Sequence, residues 1–298
     1  MKKVFPVAFI AILSLTAILY SCKKSIPTSE QNNSKTIITK KTRGYISYSD
    51  SVLISHYWQI GSLHNQGIDK LLDNIKQTYG SQYNVYSTTN NNAVLASIPQ
   101  MSISYVNDVL SPSNIDLNFI RGSINTSSNS LIGATQNTQW EYSINFKSCI
   151  SILEKTIDEN ESFSKAQFET LLNQNIGTLN SELEKIILVA TYSTAYHSLS
   201  YWNDQNHGGA WARYFSNNND YVIPVGKAKD VGKADIAGIL TGGAGGLAWG
   251  AAGGTVVLPG AGTIAGAAGC GAIGALGGGL GNSAKKAVEG FIDWLTGG

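Results

Sequence analysis

The stretch IAGILTGGAGGLAWGAAGGTVVL, residues 236–258, then Pro259-Gly260, then AGTIAGAAGCGAIGALGGGLGN, residues 261–282, decides how this chain is read. Neither segment contains a charge. Pro-Gly between them is a turn signal. At a rise of about 1.5 Å per residue each segment would be a helix of roughly 33–35 Å, enough for a bilayer core of about 30 Å. Gly238, Gly242, Gly246, Gly250 and Gly254 recur at every fourth residue. Gly262, Gly266, Gly274 and Gly278 continue the step, with Cys270 on the missing rung. Residues four apart share a helix face, so each helix would present a groove free of side chains. Two such grooves let backbones approach closely, as in small-xxx-small pairing of membrane helices. Cys270 is small enough to sit in the groove as a packing residue.

The flanks agree with a hairpin. Lys227, Lys229 and Lys233 precede the first segment, and Lys285 and Lys286 follow the second. Both basic ends would then lie on one side of a membrane. Ala287 to Leu295, with Val288, Phe291, Ile292 and Trp294, reads as a short amphipathic stretch suited to an interface. Glycine opposes this helix in water, at about 1 kcal/mol per residue relative to Ala. A hairpin packed against a folded domain, or a low-complexity tail, therefore stays open beside a membrane-associated one.

Upstream, the composition changes abruptly. Of 32 glycines, 23 lie at or after Gly226. Residues 44–225 read as a helical domain. Leu63, Ile68, Leu71, Leu72, Ile75 and Tyr79 follow Gly61-Ser62 at helical spacing. Ser164 with Gln167, and Ser181 with Glu184, have the form of capping boxes; the second opens a helix running to about Trp202. Phe146 to Ile157 is a further helix with Cys149, Ile150, Ile152, Leu153 and Ile157 on its apolar side. Tyr83 to Leu95 and Trp140 to Ile144 have some β character, and Ser111 to Gln139 reads as loop. The expected fold is mainly α: a helical soluble domain followed by a Gly-rich α-helical hairpin over residues 226–298.

The chain opens Met1-Lys2-Lys3, runs uncharged from Val4 to Leu19, and continues Leu19-Tyr20-Ser21-Cys22. A basic start, an apolar run too short to span and a small residue before the cut describe a signal peptide over residues 1–21. Leu19, Ser21 and Cys22 resemble a bacterial lipobox, although Tyr20 replaces the small residue usual there. The resemblance implies lipid on Cys22 and an envelope address, on an outer membrane or periplasmic face. Residues 22–43, rich in Lys, Ser, Thr and Asn, read as a flexible tether.

The glycine ladder, entered through Asp235-Ile236-Ala237-Gly238, resembles the glycine-zipper segments of class II bacteriocins and of uncharacterised bacterial glycine-zipper proteins. That resemblance implies membrane perturbation by helix association. The alternative is a structural or ligand-binding lipoprotein with a packed, non-inserting hairpin. Implied partners are membrane lipid, through Cys22 and the 236–282 hairpin, and a further copy of the chain.

Other chemistry is thinly represented. The net charge of +1 makes no electrostatic case for nucleic acid. Cys149 and Cys270 are no disulfide framework. His64, Asn65, Asp69 and Asp73 line up along one helix, and Asp204 with His207 is the obvious distant partner. Without HExxH or similar spacing, a solvated helix face or a capping His is the simpler reading, and neither metal, cofactor nor enzymatic activity is expected. Trp202, Trp211, Tyr214, Phe215 and Tyr221 fit either an interfacial belt or a core.

Overall fold

Serines start many of the helices. In a computed structural model, which describes residues 48–80, 83–113, 115–124, 130–136, 138, 140–216, 223, 225–250, 255–258 and 262–297, Ser87, Ser130, Ser143, Ser164 and Ser181 each accept a hydrogen bond from a backbone N–H three residues ahead. That contact satisfies one of the donors a helix N-terminus leaves open. The chain is mainly α. The helices are α1 (Tyr48–Tyr57), α2 (Gln59–Tyr79), α3 (Thr88–Leu110), α4 (Phe119–Ile124), α5 (Leu131–Ala134), α6 (Ile144–Glu159), α7 (Lys165–Asn175), α8 (Glu182–Asn203), α9 (Gly208–Ser216), α10 (Val225–Gly250) and α11 (Gly266–Thr296). Between the last two lies an antiparallel pair, β1 (Thr255–Leu258) and β2 (Gly262–Ala265), registered Thr255 with Ala265 and Leu258 with Gly262.

Both serine-initiated helices expected at Ser164 and Ser181 form. The box at Ser181 closes only halfway, because Glu184 turns to a different helix. Its carboxylate accepts from Ser143 N at 2.6 Å and Ser143 Oγ at 2.8 Å, so it caps α6. Glu154 does the same for α5, accepting from Leu131 N at 2.8 Å and Ile132 N at 3.3 Å. A later helix's carboxylate thus meets the positive end of an earlier one.

Several expectations need correction. Helix α2 begins before Gly61, which lies inside it where α2 crosses α8; a Cβ there would come within 2.6 Å of His197 Cδ2. The stretch Tyr83–Leu95 turns helical from Thr88, since Ser87 caps it and Val94 and Ile98 are buried. Within Ser111–Gln139, α4 and α5 are helical, too short to show a period in sequence. The chain does reverse between Leu258 and Gly262, where Pro259-Gly260 stands, but the helices do not run up to that point. Thr255, Val256, Val257, Thr263 and Ile264 are β-branched and favour the pleated conformation, so α10 stops at Gly250 and β1–β2 makes the reversal. The amphipathic stretch Ala287–Leu295 is the end of α11 itself, with Val288 and Phe291 buried.

Residues 43–298 form one compact unit, so the change of composition near residue 226 is not a boundary in packing. Its centre is three helices, α8, α10 and α11. Helix α8 is buried along almost its whole length, from Ile186 to Ala195 and again at Ser198, Leu199 and Trp202, as expected of a helix enclosed on all sides. Helices α2, α3, α4 and α9 pack around this centre. The aromatic group at residues 202–215 belongs to the core. Trp202 and Trp211 have ring centroids 5.8 Å apart, and Phe215 stacks on Phe291 of α11 at 5.8 Å. Tyr221, Cys22 and the tether lie outside the described residues.

Candidate functional site: the glycine seam and the polar cluster beneath it

Helices α10 and α11 run antiparallel and meet at the ladder. A Cβ on Gly238 or Gly242 would overlap the carbonyl of Gly278 or Gly274 across the seam; one on Gly246 would overlap the Cys270 carbonyl, and one on Gly250 the Ala267 backbone. Gly274 and Gly278 are equally closed in return. Glycine is required here because backbone touches backbone. Three rungs lie elsewhere: Gly254 is outside the described residues, Gly262 begins β2, and Gly266 starts α11 with φ +67° and nothing near it. Cys270 contributes its backbone to the seam, and its thiol is buried and free, which pushes it above its ordinary titration range.

A second set of glycines was not apparent from the four-residue step. These lie off the backbone-to-backbone seam, and three of them receive a shell isoleucine. Gly243 takes Ile187 of α8, with 2.7 Å between a built Cβ and Ile187 Cδ1. Gly277 takes Ile120 of α4 at 2.7 Å, and Gly281 takes Ile124. Gly279 faces Ile239 at 2.7 Å and His64 Cδ2 at 3.3 Å. The shell returns the arrangement once, where Gly67 of α2 admits Leu280. The hairpin is thereby covered on its outer faces as well as along its seam. Hydrogen bonds fix its register: Tyr142 Oη donates to Leu240 O at 2.7 Å, and Asn282 Nδ2 donates to Ser123 O at 2.8 Å. No helix among the described residues is long and apolar enough to cross a membrane. Helix α10 carries Lys227, Lys229, Asp230, Lys233 and Asp235 in its first half, and glycine adds little hydropathy to the rest.

Where α10 enters the shell, polar groups from four helices meet. Asp235 of α10 is wholly buried and accepts from Trp202 Nε1 at 3.1 Å and from Ser198 Oγ. His64 of α2, also wholly buried, places Nε2 3.8 Å from Asp235 Oδ2, beyond hydrogen-bond reach. Its Nδ1 lies 3.1 Å from Asn65 Oδ1, and Asn65 Nδ2 donates to His197 O at 2.9 Å. His64 Nε2, Asp235 Oδ1, Thr194 Oγ1 and Ser283 Oγ are buried without a hydrogen bond of good geometry, although Ser283 stands near enough to Asp235 to favour its charged form. Burial drives the two central groups toward neutrality. Asp235 is pushed up to about 8 by burial, against the stabilising donors of Ser198, Ser283 and Trp202. His64 is pushed down to about 4, and His197 likewise to about 4 by burial and then by the charges of His64 and Lys165.

The residues picked out by sequence separate into two places. Asp69 and the Asp204–His207 turn do meet: His207 Nδ1 is 3.7 Å from Asp69 Oδ1, and Tyr201 Oη donates to the same oxygen at 2.7 Å. Asp204 organises its own turn by accepting from Asn206 N and His207 N. His64 takes no part in that surface contact, and Asp73 is exposed. The reading of His64 as part of a solvated face is therefore corrected: its step on α2 points inward with Ile60, Ile68 and Leu71. Asp235 was missed as a partner, its one sequence signal being its place as the last charge before the uncharged run. Among the described residues no three His, Cys, Asp or Glu side chains are grouped to hold a metal ion. No protein-family model matches this chain, nor does any curated protein or solved structure.

Proposed function

We propose that this is a lipid-anchored cell-envelope protein, tethered through a lipid on Cys22, in which the glycine-zipper hairpin serves as the rigid centre of a helical interaction domain. The observation that carries this reading is the double coverage of the hairpin. Its seam is closed by its own backbone, and its outer glycines are filled by Ile120, Ile124 and Ile187. In this form the hairpin's association is with itself and with its shell. The role is binding rather than catalysis, with the densest polar constellation, around His64 and Asp235, sealed away from solvent.

A second reading, in which the hairpin leaves the shell to associate with a membrane or with another copy, draws support from two features. The seam surface is self-complementary, and the run from Ile236 to Ala284 is uncharged. Lipid on Cys22 would hold a released hairpin near a bilayer and raise its effective concentration there. Two experiments test the proposal. Labelled palmitate should enter the wild type and not Cys22→Ser; equal labelling of both removes the anchor. Dye-filled anionic vesicles should stay intact with the folded protein at pH 6.5; leakage from the folded protein would favour the second reading over the first.

A further inference from the structure

We propose that Asp235 is a proton-operated catch, holding the glycine hairpin in its shell while protonated and loosening it as it ionises. The inference rests on the packed-hairpin reading above. Asp235 stands at the seam between hairpin and shell, wholly buried, with Oδ1 unpartnered and Oδ2 shared by Ser198 and Trp202 of α8. A carboxylate in that position would be a charge taken from water and faced only by the neutral donors of Ser198, Ser283 and Trp202, with no cation beside it, which is costly.

The groups around it offer no compensating cation in the protonated form. From α2 comes His64, too distant for a hydrogen bond and itself held neutral by burial. From α8 come Ser198, Trp202 and the hydroxyl-bearing Tyr201, whose own proton burial retains; His197 of the same helix is also held neutral by burial. From α11 comes Ser283, uncharged. On α10 itself, Lys233 is two residues away and is paired with Asp158 of α6. Once the hairpin parts from the shell, Asp235 meets water and ionises freely. Opening is thus favoured by each step of rising pH between the ordinary histidine range and about 8, where the buried carboxyl itself gives up its proton. On the acid side the response vanishes, because His64 would gain a proton on opening as Asp235 loses one.

Cys270 on the hairpin and Cys149 on α6 are both buried and free, and supply the readout. The full-length protein is treated with a soluble disulfide reagent at pH 6.5 and pH 8, and each thiol's modification is followed by peptide mass mapping. Rates are divided by those of Asp235→Asn at the same pH, which cancels the reagent's own pH dependence. The expected ratio for Cys270 rises about tenfold from pH 6.5 to pH 8, while that for Cys149 stays level. A flat Cys270 ratio overturns the catch, and so does a parallel rise at Cys149, which would be unfolding of the whole. Should Asp235→Asn fail to fold, the infrared band of a protonated buried carboxyl in the wild type decides. It should be present at pH 6.5 and fade toward pH 8; its absence at pH 6.5 would mean an ionised Asp235 and refute the proposal. Rapid Cys270 modification already at pH 6.5 would instead refute the packed hairpin, so the two failures are distinct.

Discussion

Alanine should act with opposite sign at Gly242 and Gly290, two glycines of the same hairpin. At Gly290, inside α11, a Cβ meets nothing within 4 Å. Gly290→Ala then gains the helix preference alone, about 1 kcal/mol of stabilisation. At Gly242 a Cβ would overlap the Gly274 carbonyl and stand 2.8 Å from its carbon and 3.0 Å from Gly278 Cα. Those atoms are backbone and cannot rotate aside. Relief requires α10 and α11 to separate by roughly 1 Å, and a gap of that size forfeits a quarter to a half of each contact across it. Overpacking of this kind costs about 1–3 kcal/mol, occasionally more, and here it spreads to Gly238 and Gly246 along the same seam. At the upper end of that range, about 3 kcal/mol, set against the gain of about 1 kcal/mol in helix preference, Gly242→Ala should lose about 2 kcal/mol. Urea unfolding followed by far-ultraviolet circular dichroism reads both. With a slope near 3 kcal/mol/M, the midpoint should fall by about 0.7 M for Gly242→Ala and rise by about 0.3 M for Gly290→Ala. Equal shifts of the same sign would refute the backbone-to-backbone seam.

Two further outcomes follow from the polar groups. Between about pH 4 and 6.5 the native state withholds a proton from each of His64 and His197 and keeps one on Asp235 that the unfolded chain would release, so one contribution cancels and the other makes stability rise with pH up to about 6.5. Above pH 6.5 only Asp235 differs; the native state binds more protons, and stability falls toward pH 8 by roughly 1–2 kcal/mol. Chemical denaturation across that range should show the decline in the wild type and none in Asp235→Asn; an equal decline in both would contradict the assignment. Glu184→Ala strips Ser143 of the partner to its N–H and hydroxyl, so α6 should lose its cap at a cost of about 1–3 kcal/mol, read as a lower thermal midpoint; no change would contradict the cap.

Much of this architecture could be read from residue types. Ser164 and Ser181 announced their helices because a hydroxyl three residues before a helical N–H is a local device. The ladder at Gly238, Gly242, Gly246 and Gly250 announced a close helix pair because a four-residue step selects one face. The destination of that pair was not legible. A backbone seam excludes side chains equally well in lipid and in a protein core, and only Ile120, Ile124 and Ile187 distinguish the two. Those isoleucines come from α4 and α8; the first is six residues long, below the length at which a period can be seen. The strands flanking the turn were missed for a related reason: Thr255 to Leu258 continues an uncharged run, and composition alone did not separate strand from helix there. Asp235 and His64 lie far apart in sequence and meet only because α2 and α10 cross α8 at the same level, a fact carried by tertiary packing.

The central claim is that the glycine hairpin is the interior of this domain, and amide hydrogen exchange tests it most directly. At pH 6.5, with and without lipid vesicles, the amides of residues 236–247 and 269–284 should exchange no faster than those of residues 186–195 in α8, which are also core. Exchange of the hairpin orders of magnitude faster than α8, or protection that appears only when vesicles are added, would contradict it.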